Sequence, residues 1–246
     1  MHKKVLLVVS SQPEDPAFEN KMLVDASGKP FICHAWEAGN AAMNVTDAIV
    51  ATDNPEIVEV LGQHGVRAIQ TATESLCGTD RIVELMEQGW DQYDAFVHLS
   101  PDEPEITAEM VDTCVDRLLY DHSSDLSTLA TEFPDDGIDH LLQSRMKVRI
   151  RMRGDDGFAQ GFYRTMPPYP CYRNMGIFAY TPQILKEWRT FPRTRAERFD
   201  LPQLGPFDAN KLIGVDVVNA APHNIHTKED YNAWFLRAIS TQPVSK

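Results

Sequence analysis

The chain has 246 residues, of which 43% are hydrophobic and 24% charged, with a formal net charge of −13 at pH 7. These values are ordinary for a globular protein of one large or two small α/β domains, and no apolar run is long enough to predict a membrane span or a signal peptide. The negative charge argues against a general nucleic-acid-binding surface, which needs clustered lysine and arginine, but leaves room for a nucleotide site.

The first half of the chain alternates strand-like apolar runs with helical segments. A continuous apolar run at residues 5–10 predicts the first strand, and Pro30 begins a helix to about Ala42, with proline at its favoured first position. The segments that follow are a strand Thr46–Thr52, a helix Pro55–Gly62, a strand Val66–Thr71, a helix Asp80–Gln88, a strand ending at Leu99 and a helix Thr107–Leu119. This alternation predicts a mostly parallel sheet flanked by helices.

The second half of the chain has an antiparallel pattern. The runs Met146–Met152 and Phe158–Arg164 flank a glycine-containing turn sequence and predict a β-hairpin. The later predicted elements are a strand Met175–Tyr180, a helix from Pro182, a short helix Arg195–Leu204, a strand Val215–Asn219 and a helix after Thr227. We therefore expect a single domain over residues 1–246, in which residues from about 140 to 180 form an antiparallel β insertion that serves as a dimer or substrate lobe.

Paired carboxylates follow the strand that ends at Leu99. Asp102 and Glu103 stand between two prolines, directly beyond that strand. Ligands of open α/β sheets bind beyond the carboxyl ends of the strands, so these carboxylates are placed to hold a metal ion or a phosphorylated substrate. The same residues also fit a solvated turn in which Thr107 caps the next helix. The local pattern leaves both interpretations open.

The cysteines give no sign of a metal knuckle or a disulfide framework. Cys33, Cys77, Cys114 and Cys171 are widely spaced and form no CxxC pair, which favours reduced thiols in the cytoplasm. Cys77 lies in a glycine-containing loop, but no neighbouring residue in the sequence suggests a base that would activate it as a nucleophile.

Several short blocks occur in a fixed order along nearly the whole chain. They are Lys21–Ile32 (KMLVDASGKPFI), Ile49–Asp53 (IVATD), Cys77–Arg81 (CGTDR), Asp102–Pro104 (DEP), the pair Met146–Arg149 and Gly161–Arg164, Asn174–Tyr180 (NMGIFAY) and Thr227–Asp230 (TKED). Each block alone is weak evidence of membership in a family. Together, their order and spacing resemble the CMP-Kdo synthetases (3-deoxy-manno-octulosonate cytidylyltransferases) and, more distantly, the acylneuraminate cytidylyltransferases.

The resemblance implies a Rossmann-like nucleotidyltransferase fold and a cytoplasmic enzyme, commonly a homodimer. Such enzymes join CTP to an acidic sugar such as Kdo, for lipopolysaccharide biosynthesis, and release pyrophosphate. A sugar hydroxyl attacks the α-phosphate in line, which requires neutralised phosphates and aligned reactants more than a special nucleophile. The resemblance implies Mg²⁺ as the cofactor, and neither a nucleic acid nor a membrane as a partner.

The resemblance also implies roles for individual residues. The candidate catalytic residues are Lys21 and Asp102. The candidate nucleotide contacts are Ser10, Ser11, Thr79 and Arg81. The candidate substrate contacts are Glu103 and Arg164, and the candidate metal ligands are Asp102 and His226. Simpler roles remain open for two of them, because Thr79 could cap its helix and Arg81 could pair with Glu84 three residues on.

The first loop departs from the family pattern. In the family it carries two arginines and a lysine that meet the triphosphate, whereas here Gln12 and Ala17 replace the arginines and only Lys21 remains. The acids Glu14, Asp15 and Glu19 have entered the same stretch. Because like charges repel and the bidentate grip of arginine on phosphate is lost, this loop should bind a triphosphate poorly.

The predicted metal site also departs from the family pattern. His226 replaces the second metal-binding aspartate of the family, and Pro101 replaces a glycine, which stiffens the turn. Mg²⁺ prefers oxygen ligands, so an imidazole weakens its binding or favours a softer ion such as Mn²⁺ or zinc. Three functions therefore remain open. The chain is an active or altered cytidylyltransferase, or an impaired homologue that binds a sugar, a nucleotide or a partner protein without turnover. The third is a transferase that uses another nucleotide or a nucleotide-sugar donor on a similar fold.

Overall fold

The computed structural model describes residues 3–11, 18–26, 28–72, 77–120, 124–134, 138–220 and 222–240. The strands are β1 (Val5–Ser10), β2 (Asp47–Thr52), β3 (Ala68–Gln70), β4 (Ala95–Leu99), β5 (Leu126–Thr131), β6 (Lys147–Arg153), β7 (Asp156–Tyr163), β8 (Tyr172–Tyr180) and β9 (Ile213–Val217). The helices are α1 (Ile32–Ala41), α2 (Pro55–Gln63), α3 (Gly78–Glu87), α4 (Ala108–Leu119), α5 (Pro182–Glu187), α6 (Thr194–Phe199), α7 (Leu204–Asp208) and α8 (Lys228–Ser240). The departures at Gln12 and Ala17 lie outside the described residues.

These strands form one mixed sheet in the order β3-β2-β1-β4-β8-β5-β9-β7-β6. Strand β1 lies parallel to β2 and β4, and β2 lies parallel to β3, as strands joined by helical crossovers do. Strand β8 then lies antiparallel between β4 and β5, and β6 pairs with β7 in the predicted hairpin. The predicted α/β fold is confirmed, with its parallel pairing concentrated in the N-terminal half.

Helices cover both faces of the sheet because side chains alternate along each strand. Leu7 of β1 belongs to a core that includes buried residues of α1, α2 and α4. Its neighbour Leu6 belongs to the opposite core, with buried residues of α3 and α5. A third cluster joins Tyr231 and Trp234 of α8 to Phe31. No described helix is both long and apolar enough to cross a membrane.

The sequence analysis does not predict strand β5, because polar residues interrupt the apolar pattern of this strand. Ser127 and Thr128 interrupt the apolar run, yet all six residues of the strand are buried. The Ser127 hydroxyl donates to the Cys114 carbonyl at 2.7 Å, and the Thr128 hydroxyl donates to the Ile177 carbonyl at 2.6 Å. Since each buried hydroxyl has a partner, a polar sequence can occupy a central strand.

The single short helix predicted at Arg195–Leu204 is wrong. Helix α6 ends at Phe199, and Asp200 caps it in the left-handed conformation at φ 51°. A separate helix, α7, begins at Leu204. The break matters for the site, because it places Asp200 at the wall of the cavity described next.

Candidate active site

A cavity of about 360 Å³ lies beyond the carboxyl end of β4, between the start of α3 and strand β8. Its wall includes Gly78 and Thr79 of α3, His98 at the end of β4, and Arg173 and Asn174 of β8. This is the position at which open α/β sheets bind ligands. Six predicted site residues also line it, namely Lys21, Thr79, Asp102, Glu103, Arg164 and His226.

Lys21, Asp102 and His226 meet at one end of this cavity. Lys21 Nζ lies 2.8 Å from Asp102 Oδ1, with only 10% and 11% of the two side chains exposed. Lys21 Nζ also donates to the Ile225 carbonyl at 3.1 Å. His226 Nδ1 lies 3.8 Å from Asp102 Oδ2. Burial lowers the pKa of His226, which favours the neutral ring, the form of histidine that binds metal ions.

The start of α8 fixes His226 beside Asp102. Asp230 Oδ2 accepts hydrogen bonds from the backbone N–H groups of His226 at 3.0 Å and Thr227 at 2.9 Å. The Thr227 hydroxyl accepts in return from the Asp230 N–H at 3.1 Å, so the TKED block forms a capping box. Just before this cap, the Ile225 N–H donates to the Asp102 carbonyl at 2.8 Å.

The carboxylates after β4 are buried, so the solvated-turn interpretation is wrong. Glu103 Oε2 accepts from the Gly176 N–H at 3.0 Å, and Oε1 accepts from Asn224 Nδ2 at 3.2 Å. Burial raises the pKa of Glu103. Thr107 caps α4 as expected, since its hydroxyl accepts from the Met110 N–H at 3.3 Å.

The start of α3 lies against a serine–histidine pair. Ser10 Oγ is 2.6 Å from His98 Nε2, and burial lowers the pKa of His98 to about 4. Thr79 is not the cap, because the helix begins at Gly78 and the Thr79 hydroxyl lies 3.0 Å from the Tyr180 hydroxyl. Sequence analysis did not select His98. The sequence feature that could have identified His98 is a polar residue inside an apolar strand, near the edge of the sheet where ligands bind.

Cys77 precedes α3 at the same wall. Burial raises the pKa of its thiol to about 12. Because the thiolate is the reactive form, this cysteine is a poor nucleophile at neutral pH, in agreement with the sequence interpretation.

We expect Gly78→Ala to lower the free energy of unfolding by about 1–3 kcal/mol. A methyl group there would lie 2.0 Å from His98 Nε2 and 2.3 Å from Ser10 Oγ, so the hydrogen-bonded pair would have to move. Gly62→Ala is the matched control, because nothing lies within 4 Å of its added methyl group. Urea unfolding should show that protein unchanged or stabilised by up to about 1 kcal/mol. Equal effects at both glycines would contradict the packing argument.

Two predicted nucleotide contacts make bonds elsewhere. Arg81 Nη2 lies 2.8 Å from Asp53 Oδ1 and is nearly fully buried, so it pairs with Asp53 rather than with Glu84. The Ser11 hydroxyl donates to Thr52 Oγ1 at 2.7 Å. Among the described residues, the cavity wall includes neither Arg81 nor Ser11. Their side chains hold the ends of β1 and α3 against β2.

Three arginines also line the cavity. Arg164 Nε donates to the Phe199 carbonyl at 3.1 Å, and its Nη2 lies 2.8 Å from Asp200 Oδ2. Arg145 Nε lies 2.7 Å from Asp139 Oδ1, and Arg173 Nη1 lies 4.0 Å from Asp139 Oδ2. Arg145, Arg173 and Asp139 belong to no recognisable sequence motif, so sequence analysis missed them.

Apart from Asp102 Oδ1, which forms the ion pair with Lys21, four buried polar atoms of cavity-lining residues have no hydrogen-bond partner within the described ranges. They are Arg173 Nε, Asn174 Oδ1, Asn224 Oδ1 and His226 Nε2. Buried polar groups are almost always paired with protein, water or a ligand, so these atoms are available to a polar ligand in the cavity. The same described ranges hold no group of three or more His, Cys, Asp or Glu side chains arranged for a metal ion.

Comparisons with known proteins show the family of this chain. A family model described as "Cytidylyltransferase" matches residues 17–195. A 3-deoxy-manno-octulosonate cytidylyltransferase of Chlorobium chlorochromatii is 28% identical over 235 residues, or 92% of this chain and 93% of that protein. One from Chlorobium phaeobacteroides is 30% identical over 191 residues, or 74% and 75%. The mitochondrial enzyme of that name from Arabidopsis thaliana is 29% identical over 239 residues, or 92% and 80%.

Solved structures are similar over the whole fold. A CMP:2-keto-3-deoxy-manno-octonic acid synthetase complexed with CTP has a TM-score of 0.87 at 26% identity, covering 97% of this chain and all 100% of that one. A UTP-bound UGPase from Acinetobacter baumannii has a TM-score of 0.68 at 15% identity, covering 99% and 95%. The second likeness shows the fold alone.

Proposed function

This chain belongs to the cytidylyltransferase family, and from that premise we propose that it transfers CMP from CTP to an acidic sugar of the Kdo class. The bond forms between a sugar hydroxyl oxygen and the α-phosphorus, while the bond from that phosphorus to the pyrophosphate oxygen breaks. The observation that carries the proposal is the meeting of Lys21, Asp102 and His226 in the cavity beyond β4.

The residues of the cavity supply charge and alignment. Lys21 is held against Asp102 and the Ile225 carbonyl, where its ammonium meets the negative charge of a bound phosphate. Thr79 and the polar residues of β8 form the opposite wall. Enclosing both reactants in one cavity replaces a bimolecular encounter with an aligned reaction.

The donor set fits a divalent cation that takes few protein ligands. Mg²⁺ sites in nucleotide enzymes often use one or two carboxylates, with water and substrate phosphates completing the shell. Asp102 and His226 are the residues that would hold the ion. When bound, it neutralises charge on the phosphates. Because one of these ligands is an imidazole, we propose that Mn²⁺ supports the reaction better than Mg²⁺.

We extend the proposal to a cytoplasmic homodimer. All four cysteines are free, which supports a reducing compartment. The large apolar side chains of Met152 on β6 and of Met166 and Tyr169 beyond β7 are exposed, and they offer a surface for a second copy. Light scattering of the purified protein tests the dimer directly.

The experiment that tests the proposed reaction measures pyrophosphate. Purified protein with CTP, Kdo and Mn²⁺ should release pyrophosphate, more slowly with Mg²⁺, and none when the sugar is omitted. UTP in place of CTP controls for nucleotide choice. The reaction is refuted if neither ion supports release with Kdo or with N-acetylneuraminate.

One observation favours the second candidate, a homologue that binds without turnover. Lys21 is already paired with Asp102, and His226 stands where the resemblance places an aspartate. Calorimetry would then show CTP or sugar binding in a protein that releases no pyrophosphate. Measurable CMP transfer rules this candidate out.

A further inference from the structure

We propose that a second cavity, separate from the active-site cavity, binds a small aromatic molecule that carries an ammonium group. This second cavity has a volume of about 70 Å³ and lies between the start of α3 and the segment from Trp188 to Pro206, which includes α6 and the start of α7. Among the described residues that line it, none is a predicted site residue. The inference goes beyond the proposed reaction, because it assigns a different ligand to a different part of the fold.

The walls of the second cavity include two aromatic rings. Trp188 and Phe191 are buried, and their rings meet edge to face with centroids 6.2 Å apart. Trp188 Nε1 donates to Asp80 Oδ1 at 2.9 Å, which fixes the position of the indole. Four small apolar residues form more of the wall, namely Pro192, Ala196, Pro202 and Pro206.

An apolar cavity of this kind favours an apolar group over water. Protein interiors are close-packed, and wall atoms that face a gap lose van der Waals contacts. Water finds few hydrogen bonds on such walls, whereas small apolar molecules fill them. Because aromatic rings pack edge to face against one another, a single aromatic ring is the group that suits Trp188 and Phe191 best.

The charges of the second cavity indicate what the ring should carry. Three carboxylates and one guanidinium line it, those of Asp80, Glu197, Asp200 and Arg193. Arg193 Nη2 lies 3.2 Å from Asp80 Oδ1. Asp200 Oδ2 lies 2.8 Å from Arg164 Nη2. Within the described ranges, no lysine or arginine nitrogen lies within 4.0 Å of the Glu197 carboxylate, so this acid is the one that a cationic ligand can pair with.

The other nearby cations leave Glu197 without a counterion. Two of them are already paired, Lys211 with Glu187 and Arg195 with Asp208. Arg198 follows Glu197 in the chain, but its guanidinium lies 5.5 Å from the centre of the Phe199 ring, and Arg198 is not among the described residues that line the second cavity. Glu197 itself is exposed. An ammonium group can therefore pair with Glu197 while it keeps part of its contact with water.

The second cavity is a neighbour of the active-site cavity. Cys77, Asp200 and Pro202 line both of them. A ligand in the second cavity would therefore contact the wall of the active-site cavity from the outside. Trp188 lines the second cavity and, among the described residues, is not part of the active-site wall, so its indole reports on the second cavity alone.

Nuclear magnetic resonance of the indole N–H groups of the four tryptophans tests the proposal. Trp188→Phe assigns the Trp188 signal by its disappearance. The probes are 2-phenylethylammonium, 2-phenylethanol and phenylacetate, which share the ring and differ in charge. We expect 2-phenylethylammonium to shift the Trp188 signal to saturation and to bind about threefold more tightly than the alcohol, because an exposed ion pair contributes little. Phenylacetate should bind most weakly.

Two variants locate the ring and the charge separately. Glu197→Gln should give the ammonium and the alcohol equal affinities, with that of the alcohol changed less than twofold. Glu59→Gln, at an exposed carboxylate of α2, is the matched control and should leave the threefold preference intact. Ala196→Leu fills part of the second cavity and should weaken all three probes at least fivefold. Thermal unfolding of each variant reports its folding, and Glu197→Gln carries the test if Ala196→Leu does not fold.

The outcomes decide both parts of the proposal. If no probe shifts the Trp188 signal, the site is overturned. If folded Ala196→Leu binds the probes as the unaltered protein does, they bind elsewhere and the site is overturned as well. Equal affinities of the three probes for the unaltered protein overturn the choice of an ammonium group, and so does a threefold preference that survives in Glu197→Gln.

Discussion

Asp102→Asn should lower kcat/KM for pyrophosphate release by about a thousandfold. Asp102 is the carboxylate that Lys21 and His226 both face, so its charge holds the lysine and, in the proposed reaction, would attract a divalent cation. Asparagine keeps the shape and removes the charge. A coupled assay of pyrophosphate release, with CTP and Kdo varied in turn, measures the change.

Folding must be separated from catalysis in this variant. The substitution leaves the Lys21 ammonium largely buried without its counterion, and breaking a buried ion pair lowers the free energy of unfolding by about 3 kcal/mol or more. The double variant Lys21→Met/Asp102→Asn should regain much of that stability and none of the activity. Glu87→Gln, at an exposed ion pair, should change neither. If Asp102→Asn retains more than a tenth of the activity, Asp102 has no catalytic role.

His226→Asp should raise the affinity for Mg²⁺ by about ten- to a hundredfold and move the metal preference from Mn²⁺ towards Mg²⁺. The substitution replaces an imidazole 3.8 Å from Asp102 Oδ2 with a second hard oxygen ligand. Electron paramagnetic resonance of bound Mn²⁺, with Mg²⁺ as competitor and CTP present, measures both affinities. Pyrophosphate release with each ion should follow the same order.

An exposed histidine supplies the control for this change. His64→Asp introduces the same carboxylate at the end of α2, away from the cavity, and should leave the binding of both ions unchanged. If His226→Asp and His64→Asp alter Mg²⁺ affinity equally, His226 is not a ligand and the effect is one of net charge. If neither variant changes it, Asp102 binds the ion without help from position 226.

Much of the site was accessible from the sequence because it follows local rules. The apolar run of β4 placed Asp102 and Glu103 at the ligand-binding edge, and the sequence predicted the helix after Thr227, whose cap holds His226. Both depend on spacing within a few residues. The catalytic, metal and substrate roles assigned to these residues stay predictions, although their side chains do line one cavity.

The sequence by itself determined the α/β class, the family and the position of the carboxylates after β4. Only the tertiary structure decided that Arg81 pairs with Asp53, that Ser10 meets His98, and that Asp139 joins Arg145 to Arg173. The reason is physical. The periodicity of helices and strands depends on residues that are close in sequence, so it can be read locally. A buried charge pairs with an opposite charge that the fold brings within a few ångströms, and no local sequence pattern specifies that partner.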